Sequence, residues 1–316
     1  MSKTKHLRVL FVASGNKDGK PGAVVHNQAL SLQTEGVSVS FFLIKGSGLI
    51  GYLKNIIPLS KYIKFHKPHI VHAHYSLSAI TATLALFISP KTPLMVSLMG
   101  SDTQLRKGFG LVVRFFHRHF WQCSIVKSEE MRVNSKLNSA KVIPNGVDLK
   151  EIESIERTLN GVRKERKRIL FAADPSRESK NYDLAENAVR IIEKDLRVVF
   201  NKPHKVILEE ILNADVVLLT SKWEGSPNIV KEAMACNRPV VATNVGDIEW
   251  LFGNEPGHFL TTFDPQDVAE KIELALDFSR KNEKTNGRKR IIELGLDSET
   301  VARRIITIYK EIIENK

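Results

Sequence analysis

At 316 residues the chain is long enough for two domains of about 150 residues, and its ordinary apolar share of 42% sets aside disordered and fibrous classes. Its two cysteines, Cys123 and Cys236, lie far apart in apolar surroundings, which argues against a disulfide framework or zinc site and for a reducing, cytoplasmic compartment. The net charge of +12 is concentrated: between Gly36 and Ser128 eleven Lys and Arg oppose Asp102 alone, a net +10 that predicts an anionic partner.

Residues 7–13 form a continuous apolar run, as a strand buried on both faces of a parallel sheet requires. The basic start before them lacks an apolar stretch with a small-residue cleavage site, so no secretion signal is expected. A glycine-rich loop, SGNKDGKPG at 14–22, follows, and helical spacing begins at 23–33. Strand, glycine loop and helix open a dinucleotide-type fold, but the glycines do not match G-x-G-x-x-G and disfavour a nicotinamide cofactor. Further strands are expected at 37–44, 69–72, 94–98, 123–126 and 141–143, with helices at 77–88 and 128–136. The apolar run at 79–88 is too short to span a bilayer. Pro144-Asn145-Gly146-Val147-Asp148 reads as a turn, and the charged stretch after it, up to Arg168, reads as a domain boundary.

The alternation restarts with strands at 169–173, 196–200, 216–220, 239–243 and 257–260, and helices at 182–194, 205–214 and 265–279. Two successive doubly wound α/β domains are therefore predicted, at 1–148 and 149–298, with the final helix in 299–316 packing back on the first. Such folds bind ligands beyond the carboxyl ends of their strands, so the cleft between lobes is the expected site.

The most informative stretch is LLTSKWEGSPNIVKEAMA, 218–235: a strand end, a polar loop with Glu224, and a helix with Glu232. A helix N-terminus offers unpaired N–H groups and a positive dipole end to a phosphate, and the two carboxylates can accept hydrogen bonds from the hydroxyls attached to it. Phosphate with hydroxyls suggests a nucleotide sugar.

WEGSPNIVKEAMA, with Glu224 and Glu232 separated by seven residues, resembles the E-x7-E motif of retaining glycosyltransferases of family 4, which have the two-Rossmann-domain GT-B architecture. IPNGVD (143–148), DPSRESKN (174–181), DIEW after Val245-Gly246, and the loop at 14–22 resemble further segments of that family in the same order. The resemblance implies a nucleotide-sugar donor and a saccharide or lipid-linked acceptor in cell-surface polysaccharide assembly. Arg177 and Lys180 would neutralise the donor diphosphate, Glu224 would contact the donor sugar and Glu232 the ribose hydroxyls. Gly22, Ser226 and Pro227, with the N–H groups of Asn228, Ile229 and Val230, would line the donor. No D-x-D occurs, which argues for charge neutralisation by Arg and Lys instead of a metal, so no metal or cofactor is expected. Many family members carry a histidine where this chain has Met99, so that role is not carried over; His74 and Asp102 are the candidates by position.

Other readings attach to the same residues. His72 and His74 lie on one strand, one of them read as packed and hydrogen-bonded, and the cysteines read as core. Lys54, Lys61 and Lys64 recur beside apolar residues, although Pro58 interrupts, and 109–121 sets Phe109, Val112, Val113, Phe116 and Phe120 against Arg114 and Arg118. That pattern suits either helices with a solvated basic face or peripheral attachment to the inner face of an anionic membrane. The alternatives are a sugar-nucleotide epimerase of the same fold and a nucleic-acid-binding protein. The latter is disfavoured, with no nucleic-acid partner expected, because the aromatics sit at core spacing without a recognised module.

Overall fold

The computed structural model describes residues 7–16, 19–89, 91–100, 109–159, 168–282 and 284–315. They divide into two compact units, one running to Gly146 and resuming at Ser298, the other being Val147–Asp297.

The first unit contains β1 (Arg8–Ser14), α1 (Ala23–Thr34), β2 (Ser38–Ile44), α2 (Gly48–Leu53), α3 (Ile56–His66), β3 (Ile70–His74) and α4 (Ser76–Phe87). It continues through β4 (Leu94–Ser97), α5 (Phe109–His119), β5 (Cys123–Val126), α6 (Glu129–Ser135) and β6 (Lys141–Val142). The strands form one parallel sheet in the order β2-β1-β3-β4-β5-β6. Alternation along β1 sorts the core. Val9, Phe11 and Ala13 point to one face and Leu10 and Val12 to the other, so both faces are covered by helices.

The second unit begins with α7 (Leu149–Leu159) and continues with β7 (Ile169–Phe171), α8 (Tyr182–Ile191), β8 (Leu196–Val198), α9 (His204–Leu212) and β9 (Val216–Leu219). After these come α10 (Asn228–Ala235), β10 (Val240–Thr243), α11 (Ile248–Phe252), β11 (His258–Thr261), α12 (Pro265–Asn282) and α13 (Gly287–Glu293). Its parallel sheet has the order β11-β10-β9-β7-β8. Val217, Leu219, Val240 and Ala242 pack under α7, α9, α10, α11 and α13, while Ile169, Phe171, Val216 and Leu218 pack under α8 and α12.

Three expectations change. The charged stretch after Asp148 is a helix over its first eleven residues, because Leu149, Ile152 and Ile155 recur every three positions and the last two are fully buried among the polar residues. Pro58 does not interrupt a helix: it occupies the first turn of α3, where its missing N–H has no intrahelical acceptor to lose. His72 and His74 share a face of β3, since residues two apart on a strand point the same way, and both are buried, their ring centroids 4.3 Å apart.

The final helix, α14 (Ser298–Glu314), belongs to the first unit. Val301, Ala302, Ile305, Ile308 and Tyr309 enter the cluster that covers Val9 and Phe11. The Tyr309 hydroxyl lies 2.6 Å from Nδ1 of His72, whose Nε2 is 2.8 Å from the Ser97 hydroxyl. Burial and nearby Lys127 push the His72 pKa down to about 3, so its imidazole is neutral. Replacing Tyr309 with Phe keeps the ring and strands a buried nitrogen. Chemical denaturation is expected to show a loss of about 1–3 kcal/mol; unchanged stability would show that the Tyr309–His72 bond contributes nothing to docking α14.

Candidate functional site

In the second unit the chain leaves β7 toward β8 on one side and returns to β9 on the other, so the loops following β7 and β9 diverge from adjacent strand ends. This is the switch point at which doubly wound sheets open a crevice. The loop after β7 carries Arg177 and Lys180; the loop after β9 carries Glu224.

Backbone bonds lock the two loops together. Asp174 Oδ1 accepts from the Ser176 N–H at 3.0 Å and its hydroxyl at 2.7 Å, starting the turn that presents Arg177. A single 3-10 turn, Glu178–Lys180, ends at Asn181 in the left-handed region, with φ 50°. The Thr220 hydroxyl lies 3.1 Å from the Lys180 carbonyl and 3.0 Å from that of Asn181, and the Lys222 N–H donates to the Ser179 carbonyl at 2.9 Å. With both loops fixed, the Lys180 ammonium donates to Oε1 of Glu224, which also accepts from the Ser221 hydroxyl at 2.8 Å. The Lys180 and Glu224 side chains are only 14% and 16% exposed, so water screens this pair far less than a surface ion pair. An ammonium has three donors, and the remaining two suit phosphate oxygens. Arg177 is exposed and, among the described residues, makes no side-chain hydrogen bond or ion pair.

Gly246, in the turn after β10, sets the back of the Glu224 loop. Its φ is +66°, and a Cβ there would lie 2.5 Å from the Gly225 carbonyl oxygen and 3.0 Å from that of Glu224. No side chain fits without pushing the loop away. Beneath it, Lys231 is fully buried and Asp247 nearly so. Desolvation pulls Lys231 down to about 8 against the attraction of Asp247 and Glu232, and pushes Asp247 up to about 6 against the attraction of Lys231.

Pro227 stands before the first residue of α10 and provides no side-chain cap, so the amides at Asn228, Ile229 and Val230 lie at the positive pole of the helix, where an anion is favoured. Ser226 is half-buried between this end and the Glu224 loop. Glu232, one turn inside α10, has a partner that spacing alone does not reveal. His204, the first residue of α9, places Nε2 3.0 Å from Oε1 of Glu232 and Nδ1 3.2 Å from Oε2 of Glu151 on α7. The two carboxylates raise the His204 pKa to about 10, and His204 in turn holds the Glu151 carboxyl below its ordinary range. These two residues were missed because they lie 28 and 81 positions from Glu232; the only local sign is a histidine opening a helix directly after Pro203.

The first unit holds the remaining candidates. Gly22 stands just before α1, with nothing within 4 Å of the place a Cβ would take, whereas at Gly15 a Cβ would lie 2.8 Å from Leu43 Cβ. Gly15 is thus required by packing, and Gly22 leaves space open. His74 ends β3, buried against Phe11 and His72, with both ring nitrogens lacking a hydrogen-bond partner among the described residues. Burial and the neighbouring His72 and Lys127 keep it neutral, its pKa well below the usual value. Met99 is half-buried against the core. Asp102 lies outside the described residues. Among the described residues no group of three or more His, Cys, Asp or Glu is arranged to hold a metal ion.

A family model for glycosyl transferases group 1 matches residues 168–291, and one for glycosyltransferase family 4 matches residues 6–151. TuaC of Bacillus subtilis, named as a teichuronic acid biosynthesis glycosyltransferase, is 25% identical over 237 residues, covering 65% of this chain and 60% of that protein. An Escherichia coli UDP-Gal:alpha-D-GlcNAc-diphosphoundecaprenol alpha-1,3-galactosyltransferase is 24% identical over 265 residues, 69% of this chain and 68% of that enzyme. The chain thus spans about three fifths to two thirds of these relatives' lengths. The crystal structure of HepE from Anabaena in complex with UDP-glucose shares the fold, with a TM-score of 0.74 at 17% identity over 97% of this chain and 100% of that one. The two Rossmann-like units are therefore those of the GT-B architecture that the E-x7-E segment predicts.

The His204 bridge has a signature in pH. A histidine whose pKa is raised on folding from 6.5 to about 10 stabilises the fold fully below pH 6.5 and loses that contribution as the pH climbs through 10. The melting-temperature gap between the parent protein and His204→Gln is expected to be widest near about pH 6 and to close above about pH 10. A gap that stays constant across this range would refute the charged bridge.

Proposed function

As the chain belongs to the family 4 glycosyltransferases, we propose that it transfers a sugar from a nucleotide-sugar donor to a saccharide or lipid-linked acceptor in cell-surface polysaccharide assembly, retaining the anomeric configuration. The observation that carries this reading is the Lys180–Glu224–Ser221 cluster at the switch point of the second sheet, with Arg177 on the same loop. The TuaC and galactosyltransferase relatives supply the polysaccharide and lipid-diphosphate context.

In the proposed mechanism Arg177 and Lys180 grip the donor diphosphate, helped by the amides at the start of α10. As the bond from the anomeric carbon to the phosphate oxygen breaks, negative charge grows on that oxygen, and two fixed cations stabilise the transition state more than the ground state. They supply the charge that a divalent metal would otherwise bring, so no metal or other cofactor is required. Glu224 holds the sugar and, through its bond to Lys180, keeps the ammonium aimed at the phosphate. The acceptor hydroxyl attacks the same face that the phosphate leaves. Its oxygen forms the new glycosidic bond while its proton passes to the departing phosphate oxygen, so this route needs no strong side-chain base. His74, a neutral imidazole, and Asp102 are assigned to the acceptor side.

Lys180→Ala and Glu224→Gln are each expected to lower kcat/KM by roughly 100–1,000-fold, as loss of one transition-state contact does, with folding intact by circular dichroism. Full activity in both variants would sink the assignment. Anomeric proton couplings of the product report retention directly.

We place the enzyme in the cytoplasm, at the inner face of the membrane. Among the described residues no helix is long and apolar enough to cross a bilayer. The helix α5 exposes Leu111, Val112 and Phe115 beside Arg114 and Arg118, and α3 exposes Ile57 and Phe65 beside Lys61 and Lys64. Apolar side chains flanked by cations suit insertion between anionic headgroups. The protein is expected to sediment with phosphatidylglycerol vesicles and not with phosphatidylcholine vesicles, and Leu111→Ser with Phe115→Ser to weaken this roughly tenfold or more. Equal recovery with both lipids would refute the electrostatic component.

A further inference from the structure

The second glutamate of the E-x7-E pair is tied to two further helices. His204 joins Oε1 of Glu232 on α10, at 3.0 Å, to Oε2 of Glu151 on α7, at 3.2 Å, from the first position of α9. We propose that His204 is a positioning residue of the donor site: clamped from behind by Glu151, it orients the Glu232 carboxylate to accept hydrogen bonds from the ribose of the nucleotide. This rests on the reading of Glu232 as the ribose ligand.

Imidazolium has two N–H donors pointing away from each other, and here both are spent on carboxylates. No donor is left for a substrate and no lone pair for a proton, so His204 acts through Glu232 and not on the donor. Without a cation between them, Glu151 and Glu232 would be partly buried like charges, and one would take up a proton or swing away. The three helices that carry the bridge share one packed core, in which Ile152 and Ile155 of α7, Leu208 and Ile211 of α9 and Val230 and Ala233 of α10 are all buried. The clamp is therefore mounted on rigid elements. A glutamate side chain otherwise free to rotate is ordered before the ligand arrives, so the ordering cost does not subtract from binding.

A helix-stapling role for the same bridge would affect all ligands alike; a ribose-positioning role would not. The full-length protein is titrated calorimetrically with UDP, ADP and GDP, and then with the 2′-deoxy form of whichever binds. The parent protein is expected to prefer the ribonucleotide by roughly tenfold, the effect of one charge-assisted hydrogen bond. In His204→Gln that preference should fall to roughly threefold or less, with affinity for the deoxy form unchanged because, among the described residues, the His204 ring bonds only Glu151 and Glu232 and touches neither Arg177, Lys180 nor the amides at the start of α10. Glu151→Gln, which leaves His204 bonded to Glu232, should give an intermediate preference. If Glu232→Gln abolishes the preference while His204→Gln keeps it, the His204 inference is overturned and the ribose reading stands. If Glu232→Gln keeps the preference, or no nucleotide binds the parent protein, the donor-site reading itself fails and takes the inference with it. An equal loss of affinity for both sugar forms in His204→Gln marks a structural staple and also overturns it.

Discussion

Everything proposed for the second unit depends on one property of an open, doubly wound parallel sheet: its strand order reverses at one point, and there two neighbouring loops diverge. Here the reversal lies between β7 and β9. Divergence alone would give a gap lined by two mobile loops. What makes it a site is the set of backbone bonds from Thr220 and Lys222 to the turn at Ser179–Asn181, which fixes the Lys180 ammonium against Glu224 before any ligand is present. Such a preformed pair costs little reorganisation when charge develops in the reaction. The same economy explains Gly246, whose missing side chain lets a third loop seat against Gly225 and Glu224.

Charge in this unit is arranged in layers. Outermost is Arg177, exposed and suited to a mobile anion. Beneath it the Lys180–Glu224 pair is partly shielded. Deeper still, Lys231 and Asp247 are each shifted toward neutrality by burial and partly held back by attraction to the other, while His204 is driven the other way by two carboxylates. Desolvation penalises every isolated charge at these depths, so each is compensated by a partner of opposite sign. Removing one member therefore costs more than the pair contributes, because the other is left buried and alone.

How legible this was from sequence follows from the length scale of each feature. The eleven strands were readable because the central ones, buried on both faces, are nearly continuous apolar runs and the edge strands alternate with helical stretches, and the observed ends differ by at most two residues, as at β3, which continues to His74. The E-x7-E segment was readable because its strand, loop and helix are contiguous. The helix α7 was not, since two fully buried isoleucines amid charged residues hardly change the local composition. Short helices such as α11 and α13 were missed because one to two turns give too few apolar repeats to establish a period. Nor was the Glu151–His204–Glu232 bridge legible: its members meet only because α7, α9 and α10 pack on the same face of the sheet, which no local spacing encodes.

The excess positive charge of the first unit divides once burial is known. Lys127 is buried near His72 and His74, whose rings are kept neutral chiefly by their own burial, with Lys127 adding to the effect. Lys141 is paired with Glu311 and Arg303 with Glu35, contacts that fasten α14 to the sheet and to α1. Part of what is left over, Lys61, Lys64, Arg114 and Arg118, is carried by α3 and α5, where the amphipathic pattern read from 109–121 is only partly a core face. Phe109, Val113, Phe116 and Phe120 turn inward, but Val112 does not, and with Leu111 and Phe115 it remains exposed among the arginines. Large apolar side chains are exposed elsewhere in the chain too, but on α5 three of them fall within five residues beside two arginines, each costing free energy in proportion to the area it exposes. The membrane attachment proposed for this surface recovers that cost, and it is supported by the pairing of apolar exposure with neighbouring cations more than by either alone.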